Sequence, residues 1–512
     1  MADNRTGNVI KNSWASLFER FIQIAVQFAL RTAFIKLLGN EYTGIAGLFT
    51  DILHVLSLME LGLDSSMIYS LYDPLARKDT NKISALLKFY KTAFTVIGVT
   101  VFIAGLGCTP FLQYIVKGVP NISEDIRVIF MLYVSASAAS YFLIYKSVLL
   151  RADQKARIIS KWSIIVSVSE CIAEIIALFI FRQFYAYLIV HLIATVGKNA
   201  IISRVSTNTY KEYFADNGSR LTGPEKKKLF RDLACITVYN LSGVVINSTD
   251  SIFISAFVGT VEVAIIGNFT LIITGIRTAV NQIINATKPS IGNLAATSDA
   301  KKQEEIFVKM NFIAFWVSCI CCTCLFTLLN PFVGDIWLSE SYKISIAIVA
   351  VMVINFYIAV MVFPVESFRI ANGLFIQGWM RPAIMAVMNI LLDYFWGKRW
   401  GIIGIFVATT VSRVLTQVWY DPWLVYSRVF GTKSIQYFMK YIYYAVVIAG
   451  SCAIANWLCV AVYIEQVYLA FLVKLIISLI IPNLIVFILF GRSEDFKYAK
   501  SLGFKVVHKI MR

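Results

Sequence analysis

Long apolar runs, separated by short polar and charged segments, extend along the whole chain of 512 residues. A helix needs about 20 apolar residues to cross the roughly 30 Å of hydrocarbon in a bilayer. The pattern therefore predicts an all-α polytopic membrane protein with about 14 transmembrane helices. These spans centre on residues 14–37, 43–69, 86–108, 127–148, 162–181, 184–203, 234–257, 262–287, 307–329, 343–364, 382–397, 401–420, 440–462 and 465–490.

Basic residues are distributed unequally between the two sides of this map. With the N-terminus inside, 36 of the 47 Lys and Arg residues fall in cytoplasmic segments and 6 fall in outer loops. Because Lys and Arg resist translocation, this asymmetry supports the span map and predicts that both termini are cytoplasmic. The net charge of +17 is explained in the same way, because most of the basic residues face the anionic inner leaflet of the plasma membrane. No nucleic-acid partner is therefore expected.

The composition agrees with this class and excludes others. The chain is 58% apolar and 15% charged, with a mean hydropathy of +0.71, which is far more apolar than a soluble domain. It has no P-loop, nucleophile elbow or metalloprotease motif, so we expect neither an enzyme nor ATP hydrolysis. Four cysteines in the ninth span would diverge around the helix axis, which predicts helix packing and no metal site; they are Cys319, Cys321, Cys322 and Cys324.

Short motifs recur along the chain at a nearly constant distance. Phe34-Ile35 recurs as Phe253-Ile254, and Pro110-Phe111 recurs as Pro331-Phe332. Four such pairs, separated by 219 to 223 residues, predict one six-helix unit used twice. Because six is even, both copies enter from the same side and form two pseudo-symmetric lobes around a central cleft. The predicted domains are an N-terminal lobe (1–204), a cytoplasmic basic linker (205–233), a C-terminal lobe (234–420), a linker with two extra helices (421–490) and a cytoplasmic basic tail (491–512).

Polar side chains share one face of several spans. A charge inside the bilayer costs about 2.5 kcal/mol or more without water or a partner, so Arg31 and Arg277 favour a hydrated cleft. Guanidinium binds phosphate bidentately and stays charged, which suits a lipid-diphosphate headgroup. Amides and hydroxyls on the same faces would suit its sugars. The candidate substrate-binding residues are Arg31, Arg277, Arg20, Gln27, Gln23 and Asn281.

Carboxylates also lie within the spans, and a cation exporter would centre on such groups. They are candidates for gating or for coupling to H+ or Na+. Arg31 aligns with Asp250 at the repeat offset of 219, so these two residues form either a gate or a structural pair. The candidate coupling or gating residues are Asp250, Glu60, Asp64, Asp51, Glu170 and Glu174.

Residues 36–91 carry motifs of a known family. The runs are Leu38-Gly39-Asn40-Glu41-Tyr42-Thr43-Gly44, Leu56-Ser57-Leu58-Met59-Glu60-Leu61-Gly62 and Tyr69-Ser70-Leu71-Tyr72-Asp73-Pro74, with further matches at Leu150-Arg151-Ala152-Asp153-Gln154 and Thr249-Asp250-Ser251-Ile252. The chain resembles the bacterial polysaccharide biosynthesis flippases, which export O-antigen and capsule repeat units and belong to the multidrug/oligosaccharidyl-lipid/polysaccharide (MOP) superfamily. Asp51 departs from the pattern, since relatives often have Asn there.

The resemblance implies transport of an undecaprenyl-diphosphate-linked oligosaccharide from the inner to the outer leaflet by alternating access, without ATP. It implies no cofactor, and its expected partners are the glycan lipid, the bilayer, a polysaccharide polymerase and glycosyltransferases. Three alternatives stay open: a cation-coupled multidrug exporter of the same superfamily, a peptidoglycan-precursor (lipid II) flippase, and a membrane scaffold that transports nothing.

Overall fold

The computed structural model describes residues 2–57, 63–116, 122–153, 155–214, 221–225, 227, 229, 248–285, 288–374, 380–461 and 464–501. Most of these residues are helical, and the described ranges contain no strand. The chain divides into two compact units, Met1–Ala264 and Ile265–Arg512. The predicted domain bounds, including the linker at 205–233, stay a prediction.

The first unit contains nine of the helices that we label. Their bounds are α1 Ala2–Leu37, α2 Asn40–Leu56, α3 Leu63–Arg77, α4 Thr80–Cys108, α5 Ile126–Ile144, α6 Ser147–Ala152, α7 Ala156–Phe181, α8 Phe184–Thr209 and α9 248–257. The predicted second span, 43–69, is represented by parts of two helices, α2 and α3. Aromatic side chains form much of the core, where Phe49 packs edge-on against Phe130 and Phe34 packs edge-on against Phe184.

The second unit contains the other labelled helices, and α10 begins just before it. Their bounds are α10 Thr260–Asn285, α11 Lys288–Thr297, α12 Ala300–Pro331, α13 Ile346–Ala371, α14 Met380–Arg413, α15 Trp419–Val425, α16 Ile435–Ala461 and α17 Val467–Phe490. Gly401 has a φ of 60°, which interrupts α14 between the predicted eleventh and twelfth spans. The last two helices pack on α12, where Phe315 stacks on Tyr444 with ring centroids 3.9 Å apart.

Ten segments of the described chain are long and apolar enough to cross a membrane. They account for eleven of the fourteen predicted spans, because Met380–Phe430 contains two of them. The first span lies in α1, which is more polar, and α2 has only 17 residues. Most of the seventh span, 234–257, lies outside the described residues. The polytopic all-α prediction is confirmed.

Helix starts repeat at one offset, as expected for a duplicated unit. The pairs α2 and α10, α4 and α12, and α5 and α13 each begin 220 residues apart. The N-terminal caps of α4 and α12 also correspond. The Asp79 carboxylate accepts a hydrogen bond from the backbone N–H of Lys82 at 3.0 Å, and the Asp299 carboxylate accepts one from the backbone N–H of Lys302 at 3.2 Å. The two copies therefore share their local start signals as well as their apolar pattern.

The paired caps give a testable expectation for stability. Asp79→Ala and Asp299→Ala each leave a backbone N–H of the first turn without its acceptor, which costs about 1 kcal/mol. Thermal unfolding of the detergent-solubilised protein should show two similar decreases in midpoint, whereas Asp79→Asn and Asp299→Asn should stay close to wild type. Unchanged midpoints in both alanine variants would contradict the capping role.

Candidate functional site

Two predicted substrate-binding residues of α1, Arg20 and Gln23, form hydrogen bonds within their own helix. Arg20 Nη1 donates to Gln23 Oε1 at 3.1 Å, and Gln23 Nε2 donates to Glu19 Oε1 at 3.2 Å. Gln27 is exposed on the same helix. Arg20 and Gln23 thus hold each other in a defined orientation.

Arg31 lies nearer the end of α1 and contacts a different element. Its Nη2 donates to the backbone carbonyl of Ala264 at 2.8 Å. Glu41 accepts a hydrogen bond from the Thr260 hydroxyl at 3.0 Å, so two contacts hold the first turns of α10 against α1 and α2. Asp250 is half-buried in the same unit, and its pairing with Arg31 stays a prediction.

Gly44 allows the closest approach in this region. A Cβ atom at Gly44 would overlap the backbone carbonyl of Thr260, so only glycine fits without a backbone shift. At Gly47, one turn later, an added Cβ would meet Val263 Cγ1 at 3.7 Å, which is ordinary contact. The two glycines of α2 therefore differ sharply in what they tolerate.

This difference supplies a matched pair of variants. Gly44→Ala should separate α2 from the first turn of α10 and destabilise the protein by about 1–3 kcal/mol, as overpacking of a tight contact does. Gly47→Ala should leave the unfolding midpoint unchanged or slightly higher, because alanine favours the helix. Equal midpoints for the two variants in a thermal unfolding assay would refute the close contact.

Glu124 organises residues at one end of the first unit. Its carboxylate accepts the Phe184 backbone N–H at 2.9 Å and the hydroxyls of Tyr42 and Ser123. Burial raises the pKa of this carboxyl, but the hydrogen bonds more than offset that effect and leave the pKa below its usual value. The arrangement ties α2 to the start of α8.

Two of the predicted carboxylates and a histidine form a cluster between α7 and α8. His191 Nδ1 lies 2.9 Å from Glu170 Oε1 and 3.3 Å from Glu174 Oε1. Glu174 is only 2% exposed, and the His191 ring stacks on Tyr187 with centroids 6.1 Å apart. Two carboxylates and one imidazole at this spacing can share and release a proton, or hold a small cation.

A second polar cluster lies deep in the second unit, between the two parts of α14. Asn389 Nδ2 is 3.3 Å from both Asp393 Oδ1 and Thr409 Oγ1. All three side chains are buried, and Asn389 Oδ1 has no hydrogen-bond donor among the described residues. Carboxylate, amide and hydroxyl oxygens are the ligands that hard cations prefer. Sequence reasoning missed this cluster, although the i, i+4 pair of Asn and Asp in an apolar span was a usable signal.

Arg277 and Asn281 are half-buried and four residues apart on α10, so they face the same side of that helix. Within the described part of the chain, no side chain forms an ion pair or hydrogen bond with Arg277. Arg277 lies inside the apolar segment Thr260–Gln282. This is a cation within a membrane-crossing segment, with no acidic partner in the described chain.

The other predicted coupling residues are Asp51, Glu60 and Asp64, and Asp51 is not part of the His191 cluster or of the Asn389 cluster. His54 Nδ1 is 3.8 Å from Asp51 Oδ1, and the His54 side chain is 62% exposed. Glu60 lies outside the described residues, as does the side chain of Asp64. The thiols of the ninth span point to different helices, because Cys319 contacts Ser451 of α16 and Cys322 contacts the Val353 carbonyl of α13.

Arg369, Arg381 and Asp421 form a buried ion triad in the second unit, which the sequence analysis did not predict. Asp421 Oδ1 lies 3.2 Å from Arg369 Nη1 and 3.1 Å from Arg381 Nε. All three side chains are at most 8% exposed. From the sequence, both arginines were counted among the basic residues that face the inner leaflet. The structure instead uses them to join α13, α14 and α15.

No protein-family model matches the chain, and no curated protein matches it. Solved structures do share its fold. A structure described as lipid II flippase MurJ in an inward closed conformation has a TM-score of 0.65 at 15% identity, covering 94% of this chain and 99% of the other. The Vibrio cholerae MATE transporter VcmN, as a point mutant, has a TM-score of 0.59 at 14% identity, covering 84% and 98%. A multidrug resistance MATE family transporter of the MOP superfamily, inward-facing, has a TM-score of 0.58 at 14% identity, covering 80% and 97%. This chain therefore shares the fold of the lipid II flippase and MATE transporter structures.

Proposed function

We propose that the protein is a flippase for an undecaprenyl-diphosphate-linked oligosaccharide repeat unit. It would move this lipid from the inner to the outer leaflet of the plasma membrane by alternating access, for surface polysaccharide biosynthesis. Both termini would be cytoplasmic, and a polysaccharide polymerase and glycosyltransferases would act beside it. The observation that carries the proposal is Arg277, a half-buried cation within an apolar segment.

A guanidinium in this position needs water or an anion. Its transfer into hydrocarbon costs at least about 2.5 kcal/mol, which a diphosphate group offsets by charge-assisted, bidentate hydrogen bonds. In the predicted topology Arg277 lies about 25 Å along α10 from its outer end, whereas Arg31 lies about 9 Å from the outer end of α1. Arg277 would therefore receive the headgroup first, and Arg31 would meet it later.

The extent of the structural likeness supports a lipid substrate over a drug. The lipid II flippase covers 94% of this chain, but the MATE transporters cover 80–84%. The difference is about as large as α16 and α17 together, which have 27 and 24 residues. A lipid II flippase is accordingly the second candidate, and a cation-coupled multidrug exporter is the third.

The ion that drives transport would be a proton, carried by the cluster of Glu170, Glu174 and His191. The cluster offers three titratable groups within 4.8 Å of one another, and Glu174 is almost fully buried. The cluster of Asn389, Asp393 and Thr409 has only one titratable group, so it is the alternative site for Na+. Dependence of transport on a pH gradient or on a sodium gradient distinguishes the two.

Reconstitution into liposomes with no other protein tests the function directly. Wild-type protein should translocate undecaprenyl diphosphate that carries an oligosaccharide, and Arg277→Ala should lower the rate at least tenfold because the diphosphate loses its cation. Arg277→Lys should retain part of the rate, and Arg182→Ala, an exposed site between α7 and α8, should retain all of it. Arg31→Ala should also lower the rate.

Four outcomes would contradict the proposal. Full transport by Arg277→Ala would remove the role of the guanidinium. Faster transport of lipid II than of other glycan lipids would favour the second candidate, and protection of cells against cationic dyes without any lipid transport would favour the third. Absence of all transport by folded protein would favour the scaffold.

A further inference from the structure

A cavity of about 280 Å³ lies within the first unit, among α2, α5 and α8. Ser137 on its wall is eleven residues from the start of α5, or about 16 Å along the helix, so the cavity lies near mid-depth of a bilayer-spanning unit. The exposed His54 side chain stands at its edge, and His191 forms part of its wall. The cavity is therefore an indentation at a depth where lipid offers no hydrogen bonds.

The wall of this cavity offers open hydroxyl groups. The hydroxyls of Ser57, Ser137 and Thr195 form no hydrogen bond with any described residue. Serine and threonine within helices usually donate to a backbone carbonyl one turn earlier, as Thr50 does here to Ala46 at 2.8 Å. Three hydroxyls with free donors and acceptors on one concave surface thus call for a polar ligand or water.

The same wall is aromatic, and two histidines, His54 and His191, are among the described residues that line it. Tyr133 and His191 lie beside each other with ring centroids 6.5 Å apart. No Lys, Arg, Asp or Glu is among the described residues that line the cavity. Such a surface offers no Lys or Arg to a diphosphate, and the carboxylates of Glu170 and Glu174 contact His191 Nδ1 and do not line the cavity. Aromatic faces with surrounding hydroxyls instead match a sugar ring, which presents C–H groups on its faces and hydroxyls at its edge.

The volume restricts the ligand further. Sites for drug-sized ligands occupy roughly 300–1,000 Å³. At 280 Å³ the cavity is slightly smaller, so it has space for one pyranose ring with a few waters and none for a complete oligosaccharide.

We propose that this cavity is a carbohydrate subsite that binds one neutral pyranose ring of the translocated glycan through the hydroxyls of Ser57, Ser137 and Thr195 and the ring of Tyr133. The proposal rests on the proposed function, since it assigns a part of the substrate to a part of the first unit. It separates recognition of the sugar from recognition of the diphosphate, which is assigned to the arginines.

Binding can be tested without transport. Saturation-transfer NMR of the detergent-solubilised full chain with a panel of neutral methyl pyranosides should show signals from at least one of them. Ser137→Leu, which fills the cavity, should abolish those signals, and Thr195→Val, which keeps the shape but removes the hydroxyl, should weaken binding several-fold. Ser135→Leu is the matched control, because Ser135 lies on the same helix outside the cavity and its hydroxyl donates to the Met131 carbonyl.

Transport then distinguishes failure of the subsite from failure of the function. Ser137→Leu should slow translocation of undecaprenyl diphosphate that carries one hexose at least tenfold, and should change translocation of sugar-free undecaprenyl diphosphate less than twofold. Absence of pyranoside signals, or identical signals from Ser137→Leu, would overturn the subsite even if lipid transport is normal. Pyranoside binding by a protein that transports no lipid would instead refute the flippase and keep the subsite.

Discussion

Replacing Asp421 by alanine should destabilise the protein by about 3–5 kcal/mol, because it leaves two buried arginines without their shared carboxylate. Arg369 and Arg381 come from different helices, and both contact the same oxygen of Asp421. Without that oxygen, two guanidinium groups with almost no access to water would repel each other. The midpoint of thermal unfolding, followed by tryptophan fluorescence, should fall by many degrees.

Two comparisons make this expectation specific. Asp335→Ala removes the carboxylate of a more exposed ion pair with Lys343, 2.8 Å long, which is worth at most about 1 kcal/mol. Replacing the whole triad, with Arg369→Met, Arg381→Met and Asp421→Leu, should recover most of the lost stability, since apolar residues of similar size pack without the desolvation cost. A decrease for Asp421→Ala no larger than that for Asp335→Ala would show that the triad does not hold the helices together.

Replacing Glu174 by glutamine should abolish transport driven by a pH gradient, with a decrease of at least about a hundredfold if the cluster carries the coupling proton. The amide keeps the size of the side chain and its contact with His191, but it cannot gain or lose a proton at physiological pH. Exchange of labelled lipid for unlabelled lipid at equal pH needs no net proton movement, so it should persist. Proteoliposomes with an imposed pH gradient measure the driven transport, and proteoliposomes with the same pH on both sides measure the exchange.

The controls for Glu174→Gln identify the coupling site. Glu340→Gln makes the same chemical change at a side chain that is 88% exposed, and it should leave the rate unchanged. Asp393→Asn should matter only if sodium is the coupling ion, because it removes the carboxylate of the other buried cluster. Loss of pH-driven transport in Asp393→Asn together with normal transport in Glu174→Gln would reverse the assignment.

The sequence predicted the polytopic all-α fold well because apolar length is a property of the local chain. Spans such as Ala156–Phe181 and Val467–Phe490 are continuous apolar helices, and their limits can be read to within a few residues. The repeat offset was also visible in pairs such as Phe34-Ile35 and Phe253-Ile254, and the structure adds that Gly39 and Gly259 each precede a helix that begins at the next residue. The limits of the second span were less accurate, because polar residues such as Asp51 and His54 lie within it.

The candidate sites were predicted only in part, because they depend on which helices pack together. Glu170 and Glu174 share a face of α7 by helical periodicity, but only packing against α8 brings His191 to them. Asn389 and Thr409 are twenty residues apart, and no local pattern indicates that they meet. Arg369 and Arg381 follow the positive-inside rule in sequence, whereas their burial depends on Asp421, which lies forty residues beyond Arg381.

His191 faces two environments at once, since its ring lines the cavity of the first unit while its Nδ1 contacts both glutamates. Thermodynamic reciprocity then applies: if a guest in the cavity alters the proton affinity of this cluster by some factor, protonation alters the affinity for the guest by the same factor. Cargo and driving ion would thus sense each other through a single imidazole, without any requirement for a distant relay. Affinity for the glycan should accordingly differ between the acidic and the alkaline side of the membrane.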